Sequence, residues 1–235
     1  MTSLGKLAAA LLLAASWGCE APHAGSVPRY GLGTLLHPLQ RPDAVGYPNY
    51  GPSKAPCCHK EHVYIFAING LDPTCLGNLN GLCGYLIEEG FANTYFSQLH
   101  LWPAFARIIR QIRQEDPDAQ IVVIGFSCGC NCARWLVNVL GMDGTRVDLL
   151  VYLAGDMIDN SKRSFPDNVR RVLNVRARGL ILTGGDLIAN GADIDGARNC
   201  KLDVRHILVT SRKETLEILS NELLALACGP VATRP

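Results

Sequence analysis

Short apolar runs alternate with segments of helical periodicity from residue 62 to residue 227. The apolar runs predict strands at residues 62–68, 93–99, 121–124, 147–154, 172–175 and 180–182. The periodic segments predict helices at residues 82–89, 103–114, 130–140 and 214–227. Near-continuous apolar strands are typical of parallel sheets covered on both faces. The alternation therefore predicts an α/β fold: a mostly parallel sheet, right-handed crossovers and helices on both faces in a three-layer sandwich.

The first 56 residues follow a different pattern. A short segment with a single cation, Met1–Lys6, precedes the apolar stretch Leu7–Ser16, which is the layout of an export signal. Cys19, after Gly18, is a candidate for lipid attachment and hence for anchoring to a membrane. We therefore expect an export signal at 1–20, of which a lipoprotein signal is one form, a Pro- and Gly-rich tether at 21–56, and one domain at 57–235.

Composition excludes several classes of partner. The chain has 235 residues, and its 22 Lys and Arg against 21 Asp and Glu leave almost no net charge. No basic block is interleaved with aromatic residues, so nucleic acid is not expected as a partner. An apolar fraction of 48% is ample for a packed core. No apolar run reaches the roughly 20 residues that a membrane span requires.

The run that begins at Ile121 ends in Gly125-Phe126-Ser127-Cys128-Gly129 and passes directly into a predicted helix. A serine between two glycines at a sharp strand-to-helix turn is held exposed above a sheet, near the positive end of the helix dipole. The glycines allow the strand and the helix to approach closely. This arrangement resembles the nucleophile elbow of the α/β-hydrolase superfamily.

The resemblance covers residues 62–226 and points to a minimal member, close in size to cutinases and small lipases. It implies a serine hydrolase without a cofactor, with Ser127 as the nucleophile and the chain order serine, acid, histidine. His206 is the only histidine after Ser127. It precedes the final helix and is therefore the predicted base.

The acid is less well defined by the sequence. Asp156 follows the predicted strand at 147–154, at the edge of the sheet where ligand-facing groups lie. The resemblance implies that most relatives place the acid one strand later, which indicates Asp186, Asp193 or Asp195. Each of these aspartates also fits a turn-forming role. We predict Asp156, with Asp193 and Asp186 as the main alternatives.

An acyl-transfer site also needs two donors for the developing oxyanion. The resemblance implies the backbone N–H of Cys128, after the nucleophile, and that of Leu71, in Asn69-Gly70-Leu71 after the first strand. Asn69 stands where relatives often carry histidine. The alternative interpretation of this segment is an ordinary Asn-Gly turn.

The ten cysteines allow other chemistry. Cys57-Cys58-His59 with His62 contains metal-ligand residue types, but adjacent cysteines are awkward tetrahedral ligands, and we expect no metal. Cys75 and Cys83 would close a short loop if oxidised. Cys130 and its neighbours in the predicted helix are expected to be small packing residues.

The sequence therefore favours an exported serine hydrolase of small-molecule carboxylic esters, periplasmic or anchored through a lipid in a bacterium. An acyltransferase or a thioesterase would use the same residues. A different class is a catalytically silent protein of this fold that binds a ligand or partner. A metal or redox protein built on the cysteines is a further alternative.

Overall fold

The computed structural model describes residues 59–72, 74–155, 166–178 and 197–229. The predicted export signal, the tether and the short strand at 180–182 lie outside these residues, so they stay predictions.

Six strands and four helices form the described part of the chain. In chain order they are β1 (Val63–Ile68), α1 (Leu79–Glu88), β2 (Thr94–Ser97), α2 (Trp102–Glu115), β3 (Gln120–Phe126), α3 (Gly129–Gly141), β4 (Leu149–Leu153), β5 (Val172–Arg176), β6 (Ala197–Lys201) and α4 (Lys213–Ala227). Short 3-10 turns occupy Lys60–His62, Leu99–Leu101 and His206–Ser211.

The strands form one sheet in the order β2-β1-β3-β4-β5-β6, and every neighbouring pair is parallel. The predicted α/β architecture with a parallel sheet is confirmed. Parallel neighbours require crossover connections. The helices between the strands supply these connections for β1 to β4.

Two hydrophobic cores lie on opposite faces of the sheet. One contains Leu82 of α1 and Leu219 of α4, and the other contains Ile109 of α2 and Leu136 of α3. Alternate residues of β3 enter the two cores, because successive side chains of a strand point to opposite faces. The three-layer arrangement of the prediction is therefore confirmed as well.

Two features differ from the sequence-based prediction. The edge strand β6 was not predicted, because Ala197-Arg198-Asn199-Cys200-Lys201 has no apolar run. Charged residues are common on edge strands, where they discourage pairing with other chains. Helix α1 begins at Leu79, three residues earlier than predicted, after Asn78 in the left-handed region with a φ of 53°.

Most of the described cysteines are thiols buried in the core and not part of a disulfide. Cys75 and Cys83 are both buried and neither belongs to a disulfide, so the loop that they flank is not closed by one. Cys130 is fully buried, and its thiol donates to the carbonyl of Gly125 at 3.1 Å. Cys228 is disulfide-bonded.

Each described helix is too short or too polar to cross a membrane.

A polar cluster joins β1 to the end of α2 at the amino edge of the sheet. Nδ1 of His62 lies 2.8 Å from Oδ2 of Asp116, and the hydroxyl of Tyr64 donates to the same oxygen at 3.1 Å. Burial and the hydrogen bond to Asp116 raise the pKa of Tyr64 to about 12, so the phenol remains a donor at neutral pH. The cluster therefore links two segments 52 or more residues apart in sequence.

We predict that the His62–Asp116 pair makes stability depend on pH. The hydrogen bond to Asp116 raises the pKa of His62 above 6.5. Burial raises the pKa of Asp116, but hydrogen bonds from His62 and Tyr64 outweigh it and lower that pKa below 3.8. The histidine contribution is full below pH 6.5 and is lost as pH rises through the raised pKa. The aspartate contribution is present above pH 3.8 and is lost as pH falls through the lowered pKa.

The measurement is the urea midpoint between pH 5 and pH 9 for wild type, Asp116→Asn and a control, Asp143→Asn. In wild type the urea midpoint should fall as pH rises above 6.5, and in Asp116→Asn we expect this fall to be smaller. Asp143 pairs with an arginine, Arg110, instead of a histidine, so the control should keep the wild-type slope. Equal slopes for wild type and Asp116→Asn would contradict the prediction.

Candidate active site

The candidate site lies where the direction of strand addition reverses. β1 lies between β2 and β3 in the sheet. The connection after β1 contributes α1 to one core, whereas the connection after β3 contributes α3 to the other. A crevice opens between the carboxyl ends of two such strands, and ligands bind there in open α/β sheets.

Ser127 follows β3 directly and occupies this crevice edge. Its φ of 54° lies in the left-handed region, which a non-glycine residue rarely adopts. Its N–H donates to the carbonyl of Leu153 at 3.0 Å, and its own carbonyl accepts from the N–H of Cys130 at 3.0 Å. Such backbone strain costs about 1–3 kcal/mol and persists only where surrounding contacts impose it. The serine is half-buried, so its side chain is not enclosed by the core.

Glycines on both sides of Ser127 allow the turn to close. A Cβ at Gly125 would lie 2.5 Å from Cα of Cys130, at the start of α3. A Cβ at Gly129 would lie 2.6 Å from the carbonyl oxygen of Asn69. Real Cβ atoms do not approach backbone this closely. The strand–helix contact predicted from the two glycines is therefore present.

The segment after β1 lies beside the serine. A Cβ at Gly70 would lie 2.8 Å from Cβ of Ser127 and 3.2 Å from the backbone nitrogen of Cys128. This brings Leu71, the next residue, to the neighbourhood of Cys128, as the oxyanion-hole prediction requires. Neither Asn69 nor Gly70 has a positive φ, so the segment is not a primed Asn-Gly turn.

Leu71 differs from Asn69 and Gly70 in its exposure. Its side chain is 59% exposed, whereas Asn69 and Gly70 are buried. Within the described chain, its N–H donates to no acceptor. The predicted donor is therefore available for a ligand.

His206 begins the 3-10 turn His206–Ser211 and is half-buried. Its ring centroid lies 5.2 Å from that of Phe126, the residue before Ser127. The buried Thr210 anchors this turn, because its hydroxyl donates to the carbonyl of Gly77. The structure thus brings the predicted base to the same edge of the sheet as the predicted nucleophile.

Ser127 makes no side-chain hydrogen bond to His206 or to any other described residue. Catalytic hydrogen bonds are often long without substrate and tighten in the complex. The contact that links the two residues here is the packing of His206 on Phe126.

All the predicted acids, namely Asp156, Asp186, Asp193 and Asp195, lie outside the described residues. The strands that precede them are described: β4 ends at Leu153 and β5 at Arg176. Both strands are parallel to β3, so their carboxyl ends lie at the edge that carries Ser127. The choice between Asp156 and the later aspartates remains a prediction.

The sequence did not single out Asp72, which organises the turn beside the site. Its carboxylate accepts the N–H groups of Leu76 at 2.9 Å and Gly77 at 2.6 Å, and the hydroxyl of Thr74 at 3.3 Å. These bonds define a turn over Asp72 and residues 74–78, called the Asp72 turn below. Phe126 packs on it, because a Cβ at Gly77 would lie 2.6 Å from Cζ of that ring.

The described histidines of the alternative metal site lie away from this edge. His62 lies before β1, at the opposite end of the sheet from Ser127, and bonds to Asp116. Cys57 and Cys58 lie outside the described residues. Among the residues that are described, no group of three or more metal-ligating side chains is found.

We predict that Gly129→Ala is destabilising because its Cβ would meet the backbone of Ile68 and Asn69. Overpacking of this kind costs about 1–3 kcal/mol. The matched control is Gly84→Ala in α1, where an added Cβ meets nothing within 4 Å. This control should gain about 1 kcal/mol, since alanine is the better helix former. Chemical denaturation of both variants checks the pair, and a stable Gly129→Ala would contradict the close approach.

Comparison with known proteins finds related structures but no matching sequence family. No family model matches the chain, and no curated protein does. A CIB-like hydrolase from Thermoplasma acidophilum matches with a TM-score of 0.43 and 15% identity, over 67% of this chain and 86% of that one. The NocB thioesterase domain of the nocardicin cluster matches at 0.45 and 11%, over 69% and 94%. An arylesterase matches at 0.45 and 11%, over 71% and 76%.

The likeness concerns the fold. The six described strands of this chain are all parallel, and Ser127 lies in the left-handed region at the β3–α3 turn. In these features the chain has the α/β fold and the strand-to-helix serine turn that its sequence predicts.

Proposed function

We propose that this protein is a serine hydrolase that cleaves carboxylic esters through an acyl-enzyme. The observation that carries the proposal is Ser127 in the left-handed region at the carboxyl end of β3, with Gly70 against its Cβ. Ser127 belongs to neither hydrophobic core, so its strained backbone does not serve the packing of the fold. It is the geometry that exposes a nucleophile above a sheet.

In the proposed reaction, Oγ of Ser127 attacks the ester carbonyl carbon while His206 accepts the hydroxyl proton. The N–H groups of Leu71 and Cys128 donate to the oxyanion of the tetrahedral intermediate. The intermediate collapses, and the alcohol leaves with the proton held by His206. Water then attacks the acyl-enzyme by the same route and releases the carboxylic acid and free Ser127.

An acid is required to orient His206 and to stabilise its charged form. We propose Asp156 for this role, with Asp193 and Asp186 as alternatives. All follow strands whose carboxyl ends point to the crevice.

Exposed apolar side chains follow two residues of the proposed site in sequence and support an apolar substrate. Leu71 is 59% exposed and follows Gly70, and Ile207 is 43% exposed and follows His206. Large exposed apolar residues at the rim of a crevice suit the acyl or alcohol part of an ester. Thioesters and transfer to another acceptor would use the same groups.

A catalytically silent binding protein is the second candidate. The observation that favours it is that Oγ of Ser127 makes no hydrogen bond to His206 in the part of the chain that the structure describes. The experiment below separates the two candidates.

We also propose that the protein is exported, as the N-terminal pattern predicts, with lipid attachment at Cys19 as the further step. The disulfide of Cys228 supports this proposal, because disulfides persist in oxidising compartments.

The test is labelling of the full chain by a fluorophosphonate probe, with p-nitrophenyl esters of increasing acyl length as substrates. We expect wild type to be labelled at Ser127, and Ser127→Ala and His206→Ala to lose labelling and to lower kcat by about 10⁴-fold or more. Ser211→Ala is the matched serine control. Ser211 lies at the end of the His206–Ser211 turn and donates to Leu208 at 3.4 Å, so labelling should persist.

Asp156→Asn, Asp186→Asn and Asp193→Asn identify the acid, because only loss of the true acid should approach the effect of His206→Ala. Folded wild-type protein that is not labelled would remove the hydrolase proposal and favour the silent binding protein.

A further inference from the structure

We infer that Asn69 is a positioning residue that holds the Gly70–Leu71 segment against Ser127. The inference rests on the proposed function, since the segment is positioned for use as part of an oxyanion hole. The sequence offered Asn69 only as a departure from the histidine of relatives or as part of an ordinary turn.

Asn69 is fully buried, and the two N–H groups of its side-chain nitrogen lie within reach of three acceptors. Its Nδ2 lies 2.8 Å from the carbonyl oxygen of Asp72, 3.2 Å from Oε1 of Gln98 and 3.9 Å from Sγ of Cys75. Gln98 follows β2, whereas Asp72 and Cys75 belong to the Asp72 turn. A single amide therefore joins the ends of β1 and β2 to this turn.

The backbone of Asn69 is fixed as firmly as its side chain. Its N–H donates to the carbonyl of Ser97 at 2.8 Å. Its own carbonyl faces Gly129 at the start of α3, closely enough to exclude a Cβ there. Asn69 is thus held on three sides, and the next residue, Gly70, meets Ser127.

The orientation of the side-chain amide follows from chemistry. The carbonyl of Asp72 can only accept, so the nitrogen of the Asn69 amide must face it. The other end, Oδ1, is buried and has no hydrogen-bond partner among the residues that the structure describes. A buried acceptor without a partner is a cost to the fold. The contribution of the Asn69 side chain to this contact therefore comes from its donating nitrogen, Nδ2.

The hydrogen bond from the Asn69 side chain to Asp72 also constrains Leu71. Gly70 and Leu71 lie between Asn69 and Asp72, which the Asn69 side chain connects directly. This bond closes a short loop and restricts where the Leu71 N–H can point. Preorganised donors stabilise an oxyanion without reorganisation during the reaction, so the bond should act on the transition state more than on substrate binding.

The first test is the kinetics of Asn69→Leu, which keeps about the same volume and removes the donor. We expect kcat to fall about 10-fold to 100-fold, less than for loss of an oxyanion donor itself, with KM within about twofold of wild type. The rate of fluorophosphonate labelling should fall in parallel. Unchanged kcat in folded Asn69→Leu would overturn the inference.

The matched control is Asn168→Leu. Asn168 also donates through Nδ2 to two carbonyls, those of Val137 at 3.0 Å and Thr145 at 2.8 Å, but before β5 at the opposite edge of the sheet. We expect it to lower stability and to leave kcat and KM unchanged. An equal fall of kcat in both variants would mean that general destabilisation, and not positioning, explains the effect.

A second variant tests the same inference if Asn69→Leu does not fold. Gln98→Met removes one acceptor of Asn69 at a half-buried position. Loss of one hydrogen bond corresponds to a fall of about 3-fold to 10-fold in kcat, again without a change in KM. No fall in kcat for folded Gln98→Met, where Asn69→Leu is unfolded, would overturn the inference.

Hydrogen exchange separates this inference from the proposed function. Backbone amides of Cys75, Leu76, Gly77 and Asn78 are hydrogen-bonded within the Asp72 turn. Asn69→Leu should speed their exchange at least about 10-fold relative to amides of β4, and Asn168→Leu should not. If wild type shows no serine-dependent activity, the proposed function fails, and exchange alone decides: faster exchange supports the positioning role, and unchanged exchange overturns it.

Discussion

The close approach of three backbone segments around Ser127 is the constraint on which the site depends. The end of β1, the β3–α3 turn and the start of α3 meet where Gly70, Gly125 and Gly129 leave no room for a Cβ. The left-handed conformation of Ser127 is imposed by this contact and by its backbone bonds to Leu153 and Cys130. A larger residue at any of the three glycines would separate the segments, and the strained turn would relax.

Two buried cores supply the rigidity that this arrangement needs. β1 and β3 are central strands, and their side chains pack alternately into the cores on the two faces. Phe126 carries this rigidity into the site, since its ring contacts both Gly77 and His206. Asn69 also ties the site to the sheet, because its side chain joins the ends of β1 and β2 to the Asp72 turn. The chemistry of the site is thus supported by residues that themselves face the interior.

Much of the fold could be predicted from the sequence because both cores impose a period on it. Buried parallel strands appear as apolar runs, and α2 shows helical spacing at Phe105, Ile109 and Ile112. β6 could not be predicted, because an edge strand with charged residues lacks an apolar run. For the site, the sequence alone suggested Ser127, from the motif around it, and His206, from its position after Ser127 in the chain. The contacts of Asn69 were not, since its partner Gln98 is 29 residues away.

By itself, the sequence determined the alternation of strands and helices, the two faces of the sheet, and the glycines that permit a tight turn at Ser127. These are local properties, because periodicity and the absence of a Cβ act within a few residues. Only the tertiary structure decided which segments meet: the strand order that puts β1 beside β3, the approach of Gly70 to Ser127, and the packing of His206 on Phe126. Those contacts join residues far apart in the chain, and they form only when both cores are buried together.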